Sequence, residues 1–188
     1  MAPIKVYRMK RIFLFFVAAA AVSCTNNETK EATTTSNIFI EQKVSEFVAQ
    51  HPEWTSGDNT NEEITDKFQH EVKRWSNEED FLKDMPLQLK SIRDTTVSGQ
   101  EVKLGTFSGY NDNTRPSGSI LNYIQVNVDG IMPADIAQQV KVNGKYTLEA
   151  MMYRQGSRKD VKLINVADFR GYDLGKYVFS VVKVNPIK

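Results

Sequence analysis

One cysteine in 188 residues leaves no disulfide framework and no Cys-rich metal site. Two histidines leave little for a His-based metal site or a Ser-His-Asp triad. The longest apolar run, Ile12 to Val22, has 11 residues. About 20 are needed to cross a bilayer as a helix, so the run is too short to span. Lys and Arg number 24 against 23 Asp and Glu, a net charge of +1, which excludes a polycation of the nucleic-acid-binding kind. No GxxxxGK[ST], GxGxxG, HExxH or GxSxG pattern occurs, so phosphate-loop, dinucleotide, zincin and nucleophile-elbow chemistry have no sequence support, and no cofactor is expected. Asn111-Asp112-Asn113 has calcium-type oxygens but lacks the Gly and Glu of an EF-hand loop, and reads as a plain Asx-rich loop.

What is there begins with a globular composition: 40% hydrophobic and 25% charged residues, enough to bury a core. The length suits one domain with a small lead module. The first residues form a leader. Lys5, Arg8, Lys10 and Arg11 make a positive n-region with no acidic residue, and Met9-Lys10-Arg11 alone would also serve as one. The 11-residue apolar run has the length of a signal-peptide h-region. It ends in Ala21-Val22-Ser23-Cys24, small residues leading into the only cysteine.

That junction resembles the lipobox of bacterial lipoproteins, which implies removal of residues 1–23 and lipidation of Cys24. Removal takes four basic residues and no acidic one, leaving 20 basic against 23 acidic, net −3. A cell-envelope location and anchoring to a membrane follow as expectations. Thr25 to Ser36, TNNETKEATTTS, has nothing to bury and reads as a tether over 24–36. Twelve flexible residues reach roughly 20 Å.

Residues 37–85 read as a helical module. Ile40, Val44, Phe47 and Val48 fall on one helix face, and Pro52 stops that helix after His51. Thr55 to Asn59 reads as a loop. Thr60 with Glu63 and Ser76 with Glu79 are capping-box patterns for a second and a short third helix. Ile64, Phe68, Val72 and Trp75 form the second stripe, with Trp75 read as core. His51 sits at a helix end and His70 lies off the stripe.

Residues 86–188 read as strands near 87–94, 101–108, 120–129, 145–153, 161–167 and 176–184. Ser98-Gly99 is a turn, 109–118 a loop, Gly130 a strand stop, and Pro133–Val140 a short helix. RGYDLG from Arg170 reads as a loop. The expected fold class is α+β: a short helical module, then a small OB-like antiparallel β-barrel, since a helix between the third and fourth strands is the OB arrangement. Tyr123-Ile124-Gln125-Val126-Asn127-Val128, Met132-Pro133 and Gly144-Lys145-Tyr146-Thr147-Leu148-Glu149 carry a further resemblance, to the OB-like domains of uncharacterised envelope lipoproteins from Bacteroidetes-type bacteria. It covers the last hundred residues and implies a fold and an envelope location, with no activity attached.

Charge divides the chain. Residues 37–85 hold 12 acidic and 5 basic residues; residues 86–188 hold 9 acidic and 14 basic. Strand alternation predicts Val102, Leu104, Ile124, Val126 and Val128 inward. It leaves Lys103, Phe107, Tyr123 and Gln125 on the face where OB-folds take ligands, with Arg115 in the adjoining loop. That face is either covered by the helical stripes or open to an envelope protein or glycan. The function expected is a lipid-anchored, non-catalytic binding or interaction module. The alternatives are a glycan-active enzyme working through carboxylates, and a nucleic-acid-binding OB domain, against which the envelope address argues.

Overall fold

The computed structural model describes residues 36–56, 61–110, 120–166 and 169–188. Cys24, all of the tether except Ser36, and most of the Gly109–Gly118 loop lie outside them.

The apolar stripes make the helices expected. Helix α1, Phe39–Gln50, buries Ile40, Val44, Phe47 and Val48. Pro52 ends it and also begins the next helix, α2, Pro52–Ser56, where its missing N–H costs nothing at the first position. The expected loop from Thr55 is thus helical through Ser56. Helix α3, Glu62–Trp75, buries Ile64, Phe68, Val72 and Trp75. Its cap is Asn61, whose side chain accepts from the Ile64 N–H at 3.2 Å; Thr60 lies outside the described residues. Ser76 does not cap a third helix. It closes α3, donating its hydroxyl to the Lys73 carbonyl at 2.9 Å, and a 3₁₀ turn at Glu79–Leu82 follows. Phe81 and Leu82 on that turn are buried.

Six strands follow: β1 Leu87–Val97, β2 Gln100–Gly109, β3 Ile124–Met132, β4 Lys145–Gln155, β5 Lys162–Val166 and β6 Phe169–Pro186, with helix α4, Ala134–Ala137, between β3 and β4. This is an α+β fold. The sheet order is β3-β2-β1-β4-β6-β5, and β3 also pairs with β6. That last pairing is parallel and all others are antiparallel, so the ladder β1-β2-β3-β6-β4 returns to β1. Ser98 and Gly99, both at positive φ, make the two-residue hairpin turn between β1 and β2.

Several boundaries differ from the sequence reading. Ile120–Tyr123 is a 3₁₀ turn, so β3 starts at Ile124. Gly130 does not end β3. It pairs with Gly105 of β2, and the Phe107 ring lies over both: a Cβ on Gly130 would stand 3.1 Å from that ring, and one on Gly105 2.9 Å. RGYDLG is not a loop but the first part of β6, which bends at Gly175, φ +87°, where the Asp173 carboxylate accepts from the Gly175 N–H at 2.9 Å. A register shift in β3–β6 falls at the same level.

Helices and strands share one core. Phe47, Trp54, Phe68 and Trp75 interlock edge-to-face or tilted, and Phe68 and Trp54 reach Tyr172 on β6 at 5.9 and 5.7 Å between ring centres. Phe81 meets Tyr177 at 5.0 Å. The parallel β3–β6 seam carries a buried carboxylate, Asp129. It accepts from the Thr106 hydroxyl of β2 at 3.0 Å, and its charge is paired with the Lys176 ammonium of β6 at 2.9 Å.

Tyr177 gives this core a pH dependence. Its phenol is buried and donates to the Leu174 carbonyl. Burial, with the nearby Asp173 carboxylate, pushes its pKa far above the ordinary value. The fold needs the neutral phenol, so its contribution is complete below pH of about 10, where an unfolded tyrosine starts to ionise, and is lost as pH rises beyond. Melting temperature should therefore fall on the alkaline side, and Tyr177→Phe should fall less steeply there than the wild type. Parallel alkaline limbs would contradict this.

Candidate functional site

The expected ligand face does not assemble. Phe107 is fully buried, because inward positions on β2 are Gly105 and Phe107, not Val102 and Leu104, which are half-buried. Lys103 pairs with Met132 at the far end of β3 from Gln125, so seven residues, roughly 23 Å of strand, separate them. Lys103 is also held by Asp94 of the same hairpin. Gln125 is exposed and Tyr123 half-buried. Arg115 lies outside the described residues.

A different concavity is present between α1 and α3. Its lining repeats one spacing twice: Lys43, Glu46, Phe47 and Gln50 on α1, and Lys67, His70, Glu71 and Arg74 on α3. Each set is an i, i+3, i+4, i+7 stripe beside the buried one, so two helices packed by their apolar faces leave these edges facing across a groove of about 430 Å³. Phe47 and Trp75 form its floor. His51, at the end of α1, closes one end with its ring 4.6 Å from Phe47 and its Nδ1 3.6 Å from a Glu53 carboxylate oxygen.

The rim is charged in both signs and paired. Lys43 lies 3.6 Å from Glu46, Lys67 donates to Glu63 at 2.7 Å, and Arg74 donates Nε to Glu71 at 3.1 Å. The Lys67 bond and charge lower the Glu63 pKa, and Glu71 raises that of Arg74. Behind the rim, Asp66 accepts from Arg158 at 2.7 Å, and Arg158 also meets His70. This ties α3 to the turn between β4 and β5.

No Ser, Thr or Cys is among the lining residues. Among the described residues no three His, Cys, Asp or Glu side chains stand together as a metal site, and no helix is long and apolar enough to cross a membrane. The arrangement can hold a small polar molecule or peptide segment by paired charges over an aromatic floor. In the sequence His51 and His70 stand as isolated histidines, and the only sign of the groove is the 3-4-7 spacing repeated on two neighbouring helices. The chain matches no family model, no curated protein and no solved structure.

Proposed function

We propose that this chain is a lipid-anchored cell-envelope protein whose folded part is a non-catalytic binding or interaction module, an OB-like β-barrel with helices packed against it. The observation that carries the reading is the leader: four cations, an 11-residue apolar run and Ala21-Val22-Ser23 before a solitary Cys24. The circular order β1-β2-β3-β6-β4, with α4 between β3 and β4, supports the OB-like description. β5 is then an addition hairpinned onto the last barrel strand. The α1–α3 groove supports the binding role, with an envelope glycan or a segment of an envelope protein as the ligand class. In detergent phase separation the wild type should enter the detergent phase and label with palmitate, and Cys24→Ser should do neither. Unchanged partitioning of Cys24→Ser would refute the anchor.

A further inference from the structure

Both histidines of the chain, His51 and His70, line the α1–α3 groove. Histidine is the side chain that ordinarily gains or loses its charge between pH 5 and 8, so the change expected in that range is concentrated in one hollow.

The ion pairs around the groove decide which sign is in surplus. Glu46, Glu53, Glu63, Asp66, Glu71 and Glu78 supply six carboxylates. Lys43, Lys67, Arg74 and Arg158 supply four cations. Arg74 serves Glu71 and, at 3.9 Å, Glu78 as well. Glu53 has His51 as its ion-pair partner among the described residues and no Lys or Arg. Lys73, one turn along α3 from His70, lines a different hollow beside the turn after β4. With uncharged imidazoles the rim is therefore two carboxylates in excess. Charging both rings brings it to balance, since His51 stands 3.6 Å from a Glu53 oxygen and His70 3.3 Å from an Asp66 oxygen. The surroundings have the same sign: residues 37–85 hold 12 acidic against 5 basic residues.

We infer that the groove takes a basic segment of a partner protein near neutral pH, and that charging His51 and His70 expels it. The inference rests on the groove being the binding site, and names its occupant and its regulation. Lysine and arginine suit the place because their apolar stems can lie over an aromatic floor while their heads reach a carboxylate rim. A glycan suits it less. Phe47 and Trp75 are only 5% and 3% exposed, which leaves little ring face for a sugar to stack on. In acid the imidazolium rings and the partner's cations compete for the same carboxylates. Exposed pairs are individually weak and screened by salt, so the site acts by adding several of them.

The test uses residues 24–188 carrying Cys24→Ser, which include all of the compact unit Glu31–Lys188. The probes are a capped tetrapeptide of alternating lysine and alanine, the same peptide with glutamate for lysine, and chitotriose, each followed by amide shifts at low salt. The lysine peptide should move amides along α1 and α3, and the other two should leave them in place. Its binding should weaken about threefold or more from about pH 7.5 to about 5.5, the scale of two exposed charge contacts. Glu53→Gln with Glu71→Gln should weaken it as much at the higher pH. His51→Asn with His70→Asn should flatten the pH dependence. His70→Asn alone, which spares the ring contact of His51 with Phe47, should reduce it and serves if the double variant melts early. Shifts from the glutamate peptide or chitotriose in place of the lysine peptide would overturn the basic occupant while leaving the groove a binding site. No shift with any of the three would remove the binding role of the groove as well. A pH dependence that survives in the histidine variants would overturn the expulsion.

Discussion

Phe68→Ala should lower stability by about 3–5 kcal/mol, the range for deleting a fully buried aromatic ring. For a chain of this size that is a melting temperature lower by roughly 6–20 °C. Phe68 has no exposed surface and stands at the centre of the aromatic cluster, against Phe47, Trp54 and Trp75 of the helices and Tyr172 of β6. Alanine there would leave a void that four rigid rings cannot close. The same contacts make the strands dependent on the helices. Tyr172, Tyr177 and Phe179 are buried, with Trp54, Phe68 and Phe81 as ring partners, so residues 86–188 alone would expose them. Calorimetry should show one cooperative transition for residues 37–188 and no transition at that midpoint for residues 86–188. An equal midpoint for the two, or a Phe68→Ala loss under about 1 kcal/mol, would make the helices a separate appendage.

Gly156→Ala should cost about 3 kcal/mol or more, at the upper end of overpacking costs. A Cβ at Gly156 would lie 1.9 Å from the Lys176 carbonyl oxygen and 3.0 Å from its carbon. Those are backbone atoms of β6, fixed because Lys176 pairs with Asn127 of β3 and Tyr177 with Gln155 of β4. No rotamer change relieves the clash; one strand or the turn after β4 must move. Gly99→Ala is the control. Gly99 has φ +79° and nothing within 4 Å of its Cβ position, so its substitution should cost only the left-handed strain of about 1–2 kcal/mol. Equal losses at the two sites in urea titrations would contradict the close approach.

The helices were legible because a 3.6-residue stripe depends on local sequence alone, and Ile64, Phe68, Val72 and Trp75 are buried as that stripe requires. The strands were legible in kind and approximate place. Their ends were not, where a non-local contact decides. Gly130 looked like a stop because glycine is a poor strand former, but the Phe107 ring needs the space above Gly105 and Gly130. That same packing turns Phe107 inward and dissolves the expected face of Lys103, Phe107, Tyr123 and Gln125. Alternation was counted from Val102 and Leu104, which lie where β2 runs out to the end of its pairing with β3, and there both faces of the ribbon are partly open. RGYDLG carries two glycines and an aspartate and looks like a loop, but pairing with both β3 and β5 holds it extended. The α1–α3 groove arises from two helices lying side by side, which no single window of sequence contains.

The proposed cellular role depends on the proposed lipid anchor, which intact mass spectrometry of the protein extracted from membranes with detergent would reveal. The extracted chain should begin at Cys24, lack residues 1–23 and carry lipid on that cysteine. An unmodified chain, whether full-length or cleaved elsewhere, would contradict it.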